Sequence, residues 1–162
     1  MGDWRDALAR WRTPYRLFWP GLVWMAALLG AVVLLEGARR GLVLVPPFAA
    51  SLSILLNLSD VPIAHPVALV GGSTLGAALG TGLALALGGG PAVAALCAVL
   101  ALGLLVALRL YHPPGVALAM YPALLHPGPW FPLAAVLPFT VVAAGSMALL
   151  SRVVPGWPRY PG

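Results

Sequence analysis

The sequence predicts an all-α fold, a polytopic transmembrane helical bundle, and three observations support this prediction. Hydrophobic residues make up 61% of the 162 residues and charged residues only 8%, whereas a soluble domain carries about a quarter charged residues. Several apolar stretches approach or exceed the roughly 18 residues that indicate a membrane span: Phe18–Leu35, Pro66–Leu87, Pro91–Leu110 and Trp130–Leu150. Gly and Ala are frequent within them, as is typical of helices that pack closely in lipid.

The first 17 residues form a segment that we expect at the cytoplasmic membrane surface. Large apolar side chains recur in it at helical spacing, at Trp4, Leu8, Trp11 and Tyr15. This spacing favours a short amphipathic helix in the interface. Four of the nine arginines also lie here, which places this end in the cytoplasm of a cell-membrane protein. The high pI therefore indicates topology, and no nucleic acid is expected as a partner.

A proline pair interrupts the stretch Gly41–Leu58, which follows a polar turn at Glu36–Arg40. Proline inside a helix removes a hydrogen-bond donor, whereas proline at the first helical position is favourable. We therefore expect Gly41–Val45 to be extended or a short helical piece. A new helix should begin at Pro46, with Pro47 next to it, and run to the end of the stretch.

A second proline pair follows the apolar stretch Pro91–Leu110. Pro113 and Pro114 should start another short helix, Pro113–Leu125, and the last span should be kinked by Pro132 and Pro138. The fold thus contains two short or broken helices that start at proline pairs. We expect one transmembrane domain over residues 18–152, followed by a short tail over residues 153–162.

The two proline pairs are separated by 67 residues, which predicts an internal two-fold repeat with halves 18–87 and 88–152. Such duplicated halves with broken helices are typical of transporter folds. If each proline-containing element crosses the membrane, a half has three spans and the halves are inverted. If each re-enters, a half has two spans and the halves are parallel.

The apolar stretch Pro66–Leu87 carries Gly72, Gly76 and Gly80 at intervals of four residues. This pattern predicts close packing against another helix, and the alternative is a passage lined by glycine backbone. The same face also provides the alternative function of the chain. In that hypothesis the protein is a membrane scaffold or accessory subunit that packs against a larger partner.

The broken helices are candidate anion-binding sites. Backbone breaks at membrane depth are tolerated only inside protein or beside a water-filled cavity. A helix start presents free N–H groups and a partial positive charge, which attract an anion. The N-terminal ends of the helices expected to begin at Pro46 and Pro113 would then form the site.

Polar side chains near these breaks are further candidates. Arg109 and His112 precede the second proline pair, and Arg109 either supplies charge to the site or extends to the interface. His112 is expected to donate a hydrogen bond, to carry a proton or to satisfy a backbone carbonyl. Four other residues either line a passage or bond between helices: Ser51, Asn57, Ser73 and Thr74.

Catalysis and metal binding find no support in the sequence. The sequence contains no H-E-x-x-H metalloprotease motif, no G-x-S-x-G hydrolase motif and no Walker-type nucleotide-binding loop. The single cysteine, Cys97, lies within an apolar stretch, where it is expected to pack. We therefore expect no enzyme activity and no cofactor.

Three segments together resemble the HPP family of small membrane proteins: Val45-Pro46-Pro47-Phe48, His65-Pro66 leading into Gly71-Gly72, and His112-Pro113-Pro114-Gly115. The resemblance covers roughly Leu42 to Arg152. It departs from the usual H-P-P-G-G-A of the family at Val116 and Ala117. Some members carry a C-terminal regulatory domain that has no match here, and members are implicated in nitrite transport.

The resemblance implies that nitrite is the substrate. From the broken helices, we expect the residues around both proline pairs, including Phe48 and Gly115, to contact it. We therefore predict a transporter or channel for a small monovalent anion in the lipid bilayer. A homo-oligomer is expected, because a few short spans enclose little volume.

Overall fold

The computed structural model describes residues 18–162, except for the side chains of residues 38–42, and within that range it is all-α without strands. Six helices follow one another: α1 Trp19–Gly37, α2 Val43–Asn57, α3 Ala68–Leu87, α4 Pro91–Ala107, α5 Pro113–Leu125 and α6 Pro132–Val153. Three of these, α1, α3 and α6, are long and apolar enough to cross a membrane. The predicted helical membrane fold is confirmed. The amphipathic helix predicted in the first 17 residues lies outside the described range.

The break between α1 and α2 falls at Gly37 and not at the proline pair. Gly37 has a φ of 75° and a ψ of 160°, a conformation that glycine adopts at little cost. Pro46 and Pro47 lie inside the helix that follows. The expectation that a helix begins at Pro46 after a separate piece Gly41–Val45 is therefore wrong.

Helix α2 tolerates the proline pair because a distant helix supplies a missing donor. Pro47 has no N–H, so the carbonyl of Val43, one turn earlier, loses its helical partner. The hydroxyl of Tyr121 in α5 donates to that oxygen at 2.9 Å. An unpaired backbone group costs several kcal/mol in lipid. The contact with Tyr121 therefore lets the helix continue through the prolines.

Helix α5 begins at Pro113 and ends at Leu125, as predicted. His112 precedes it in an extended conformation, with a φ of −133° and a ψ of 112°. Steric clash with a following proline disfavours helical backbone at such a position. The sequence rule that failed for Pro46 thus holds for Pro113.

Two π-helical turns open the long helices α3 and α6. They span Ala68–Gly72 and Pro132–Val136. The second turn coincides with the distortion predicted from Pro132 and Pro138, since a π turn is a recognised site of helix bending.

Helices α3 and α5 lie side by side in the same direction, with their backbones in contact. Side-chain atoms added at three glycines of α3 would overlap carbonyl oxygens on the loop before α5 and on α5 itself: Gly72 with Leu110, Gly76 with Gly115 and Gly80 with Ala119. A Cβ added at Gly115 would lie 2.8 Å from the Gly72 oxygen. The packing interpretation of the glycine face is confirmed, because a helix of the same chain covers it.

The six helices run alternately between two ends of the molecule. Four residues share a surface cavity at the first end, here called the Arg109 end: Asp60, His65, Arg109 and Gly162. Three residues share a cavity at the opposite end, here called the His126 end: Glu36, His126 and Trp130. Helices α1, α3 and α5 run towards the His126 end, and α2, α4 and α6 return. The two halves of three helices therefore point in opposite directions.

Contacts between the halves support an inverted repeat. The 67-residue offset relates Phe48 to Gly115 and Gly72 to Phe139. Gly72 and Gly115 touch between α3 and α5. Phe48 and Phe139 stack between α2 and α6 with ring centroids 3.8 Å apart. The offset therefore converts the Gly72–Gly115 contact into the Phe139–Phe48 contact, as an inverted repeat requires.

The tail, residues 153–162, folds back against the helices at the Arg109 end. Trp157 is buried, and its Nε1–H donates to the sulfur of Met147 at 3.1 Å. Its ring packs edge-to-face on Phe18 and Trp24. Tyr160 is also buried, so the tail is part of the packed molecule.

Candidate functional site

His112 lies at the start of α5 and is completely buried, with 0% of its surface exposed. Both ring nitrogens have partners from distant parts of the chain. Nδ1 lies 2.8 Å from the carbonyl oxygen of Ile63, and Nε2 lies 2.9 Å from the hydroxyl of Ser51. Because a carbonyl only accepts, Nδ1 carries the hydrogen in this bond. His112 therefore joins α2, the turn Pro62–Ala64 and α5.

Ser51 occupies the centre of this network. It is fully buried on α2, and its hydroxyl also lies 3.1 Å from the carbonyl of Pro47 in the preceding turn. One hydroxyl hydrogen thus faces two possible acceptors, the Pro47 oxygen and Nε2 of His112. The first proline pair contributes to the site through this carbonyl and not through a helix start.

The start of α5 offers few free backbone donors. Pro113 and Pro114 have no N–H, and the N–H of Gly115 donates to the His112 carbonyl at 2.8 Å. The sequence argument that a helix start presents free N–H groups is therefore wrong for the first three residues of α5. The positive end of the helix dipole remains, and other groups must supply the hydrogen bonds to an anion.

Two hydroxyl groups of α3 are available as donors. Ser73 is fully buried and Thr74 is half-buried, and neither hydroxyl has a hydrogen-bond partner among the described residues. A Cβ added at Gly115 would lie 3.1 Å from the backbone nitrogen of Ser73. The backbone of Ser73 therefore lies beside the start of α5. Buried polar groups without partners are rare in folded proteins and call for an explanation such as a ligand.

We call His112, Ser51, Pro47 and Ser73 the His112 site. Pro114 and Gly115 are buried next to it, and Pro113 is half-buried. Phe48 is buried on the α6 side of α2, where it stacks on Phe139.

Two predicted residues lie away from the site. Pro46 is exposed on α2. Asn57 is exposed near the Arg109 end, where its side-chain amide donates to the carbonyl of Ser53 at 2.9 Å. It therefore bonds its own helix and does not join helices.

Arg109 is exposed and lines a surface cavity of about 470 Å³ with Asp60 and His65. The structure does not bring it next to His112, although only two residues separate them in the chain. The segment that contains Ile63 lies between this cavity and the imidazole, since Val61 and Pro62 line the cavity and the Ile63 carbonyl binds Nδ1. The His112 site is therefore closed in this conformation.

The backbone of Arg109 explains why α4 stops at Ala107, before the predicted end at Leu110. Arg109 has a φ of 57°, and its N–H donates to the Val106 carbonyl at 3.1 Å. The N–H of Leu110 donates to the Leu105 carbonyl at 2.8 Å. These two bonds form a Schellman motif, in which the left-handed position is usually glycine. Arginine therefore occupies a strained position at the mouth of the cavity.

Sequence reasoning missed two functional groups of the site. Ile63 contributes through a backbone carbonyl, for which the sequence has no signal. Tyr121 supports the proline-containing helix, and the loss of the donor at Pro47 could have indicated that some hydroxyl was needed. Among the described residues, no three His, Cys, Asp or Glu side chains are grouped as metal ligands.

The family model described as HPP, transmembrane region, matches residues 11–161, nearly the whole chain. The chain belongs to the HPP family. The suggested resemblance is confirmed, and the proline pair that follows His112 lies within the matched region. No curated protein and no solved structure matches the chain. As an HPP membrane protein, it has three helices able to span the bilayer, in agreement with a transporter or channel.

Proposed function

We propose that the protein transports a small monovalent anion, with nitrite as the substrate, and that the His112 site binds it. The observation that carries this proposal is the completely buried, hydrogen-bonded pair of His112 and Ser51 inside an apolar bundle, with the buried and unpartnered hydroxyl of Ser73 on the adjacent helix α3. Ionisable residues within membrane domains are costly and usually serve substrate or ion pathways. Membership in the HPP family and its reported link to nitrite transport support the choice of substrate.

The residues of the site have distinct roles in this proposal. The hydroxyl groups of Ser73 and Thr74 donate hydrogen bonds to the anion, and the dipole of α5 adds positive potential. His112 supplies a polar group next to the anion and keeps its hydrogen bond to Ser51. Arg109 attracts the anion at the surface cavity and does not touch it in the buried site.

The closed conformation favours a carrier over an open channel. His112 is sealed from the Arg109 end by the Ile63 segment, so the anion reaches it only after that segment moves. Inverted halves with broken helices typically expose a central site to each side in turn. We infer such alternating exposure for this chain.

The scaffold alternative loses its main support. It relied on Gly72, Gly76 and Gly80 as a surface for a larger partner, and α5 of the same chain occupies that face. We do not propose an enzyme: Ser51 and His112 are hydrogen-bonded to each other, but both are completely buried, and a backbone carbonyl rather than a carboxylate orients the imidazole.

We place the protein in the cell membrane with a cytoplasmic N-terminus, and we propose a homo-oligomer. Helix α4 leaves a broad apolar face exposed, including Leu96, Val99 and Leu102, which fits lipid or a second copy of the chain. Chemical cross-linking in native membranes should capture a dimer or larger species. Monomers at every cross-linker concentration would contradict the homo-oligomer without affecting the transport proposal.

Reconstituted vesicles test the transport proposal directly. Wild-type protein should accelerate nitrite uptake over protein-free vesicles, and His112→Ala should reduce the uptake at least tenfold at equal folded amount. Ser51→Ala should also reduce it, whereas Ser53→Ala on the exposed side of the same helix should not. Equal fluxes in wild type, His112→Ala and protein-free vesicles would overturn the proposal.

A further inference from the structure

The hydrogen bonds around His112 require more hydrogens than the neutral side chains supply. Nδ1–H is committed to the Ile63 carbonyl, so Nε2 of a neutral imidazole carries no hydrogen. Ser51 has one hydroxyl hydrogen and two acceptors, Nε2 at 2.9 Å and the Pro47 carbonyl at 3.1 Å. A proton added to Nε2 removes the shortage, because Nε2–H then donates to Ser51 and Ser51 donates to Pro47. The site therefore accepts a proton without losing a hydrogen bond.

The surrounding elements provide no opposite charge for that proton. Helices α2 and α3 contain no ionisable side chain, and the turn Pro62–Ala64 presents only a carbonyl. The ionisable side chains described nearest to these elements are Asp60, His65, Arg109 and Tyr111 at the Arg109 end, Tyr121 on α5, and Glu36 and His126 at the opposite end. Within the described chain, none of them is hydrogen-bonded to the imidazole, whose two nitrogens bond Ser51 and Ile63. A buried charge without a partner is costly, so a protonated His112 requires an anion.

We propose that His112 couples anion movement to a proton, so that one proton crosses with each anion. This inference rests on the proposed function. The bound anion compensates the imidazolium, and the imidazolium attracts the anion, so each increases the affinity of the other by the same factor, about 5- to 150-fold in typical coupled sites. The proton binds Nε2 from one side, and the Ser51 hydroxyl turns to Pro47. On the other side Nε2 releases the proton, the hydroxyl turns back, and the cycle moves no net charge.

Proteoliposomes with the membrane potential held at zero test this coupling. Nitrite and nitrate serve as separate probes, because undissociated nitrous acid crosses lipid unaided and nitrate has no such leak at neutral pH. Initial uptake above protein-free vesicles should be accompanied by an equal uptake of protons from the medium. A pH gradient of one unit, acid outside, should drive about tenfold accumulation of the transported anion.

Two variants of His112 distinguish its ability to bind a proton from its ability to form hydrogen bonds. His112→Asn can keep a donor to Ile63, and His112→Gln can keep a donor to Ser51, but neither side chain titrates. Both should lose proton uptake and accumulation. His126→Asn is the matched control, since His126 is an exposed residue at the opposite end with a φ of 50° that asparagine tolerates. It should retain both.

The outcomes distinguish the coupling from the proposed function. Anion flux without proton uptake in the wild type, and without accumulation in response to the pH gradient, would overturn the coupling and leave anion transport intact. Absence of any flux would contradict both. Proton-coupled flux retained in His112→Asn and His112→Gln would remove His112 from the role.

A binding measurement keeps the proposal testable if the variants bind but do not transport. Calorimetric titration of the folded protein with nitrite in two buffers of different ionisation enthalpy reports protons taken up on binding. Wild type should take up about one proton per anion, and His112→Gln should take up none. No proton uptake by the wild type, or equal uptake by both proteins, would overturn the proposal.

Discussion

Arg109 has a strained, left-handed backbone conformation, and its side chain lines the surface cavity. A left-handed conformation costs a residue with a Cβ roughly 1–2 kcal/mol, which glycine avoids. The Schellman bonds around Arg109 would form equally well with glycine. The guanidinium group, which lines the surface cavity at that end, is therefore the reason we infer for arginine at this position.

Arg109→Gly should stabilise the folded protein by about 1 kcal/mol because it removes this strain, and it should slow nitrite uptake at low nitrite concentration. Arg109→Ala should slow the uptake similarly without the gain in stability, since alanine keeps the strained backbone. Thermal unfolding in detergent and initial uptake rates measure the two effects. Equal stability of the glycine and alanine variants would show that the backbone strain is not what distinguishes this position.

Tyr121 stabilises the proline-containing helix through one hydrogen bond, and its removal should be measurable. Tyr121→Phe leaves the Val43 carbonyl without a donor and should destabilise the protein by about 1–3 kcal/mol. Pro47→Ala restores a backbone N–H for that carbonyl, so Tyr121→Phe should cost less in the Pro47→Ala background. Tyr111→Phe, on an exposed tyrosine, is the control. Equal costs in both backgrounds would contradict the compensation.

At the scale of the helices, sequence rules predicted a helix start correctly where neighbouring residues alone determine the backbone conformation. The start of α5 was predictable because proline at a first helical position and an extended residue before it are consequences of the chain itself. The start of α2 was not, because Tyr121 lies 74 residues beyond Pro47 in the sequence. The Ile63 carbonyl that fixes His112 is likewise backbone, and no side-chain pattern indicates it.

Because the backbones of α3 and α5 are in contact, alanine substitutions at two glycines of α3 should change the stability of the protein in opposite directions. Gly76→Ala should destabilise the protein by about 1–3 kcal/mol, because its Cβ would overlap the Gly115 carbonyl. Gly82 is exposed and a Cβ there meets nothing within 4 Å. Gly82→Ala should therefore be neutral or stabilise by about 0.5–1 kcal/mol through helix propensity. Chemical unfolding in detergent measures both, and equal effects would argue against backbone contact between the helices.

At the scale of the whole molecule, the distribution of arginines agrees with the directions in which the helices run. Arg109 follows α4, Arg152 lies in the last turn of α6, and Arg159 lies in the tail packed at the Arg109 end. The four arginines before Trp19 precede the start of α1 at the same end, whereas only two, Arg39 and Arg40, occur in the sequence between α1 and α2. Positive residues concentrate on the cytoplasmic side of membrane proteins. We therefore propose that the Arg109 end faces the cytoplasm and that the surface cavity opens there.

This orientation and the inverted halves can be tested together by labelling single cysteines. In a Cys97→Ala background, Ser59→Cys at the Arg109 end should react with a membrane-impermeant thiol reagent only from the cytoplasmic side. Gly88→Cys and Gly128→Cys at the His126 end should react only from outside. The reason is that α3 and α5 run in the same direction, so the loops that follow both helices emerge on one side. Labelling of Gly128→Cys from the cytoplasm, with Gly88→Cys labelled from outside, would show that α5 re-enters and does not cross, and would reduce each half to two spans.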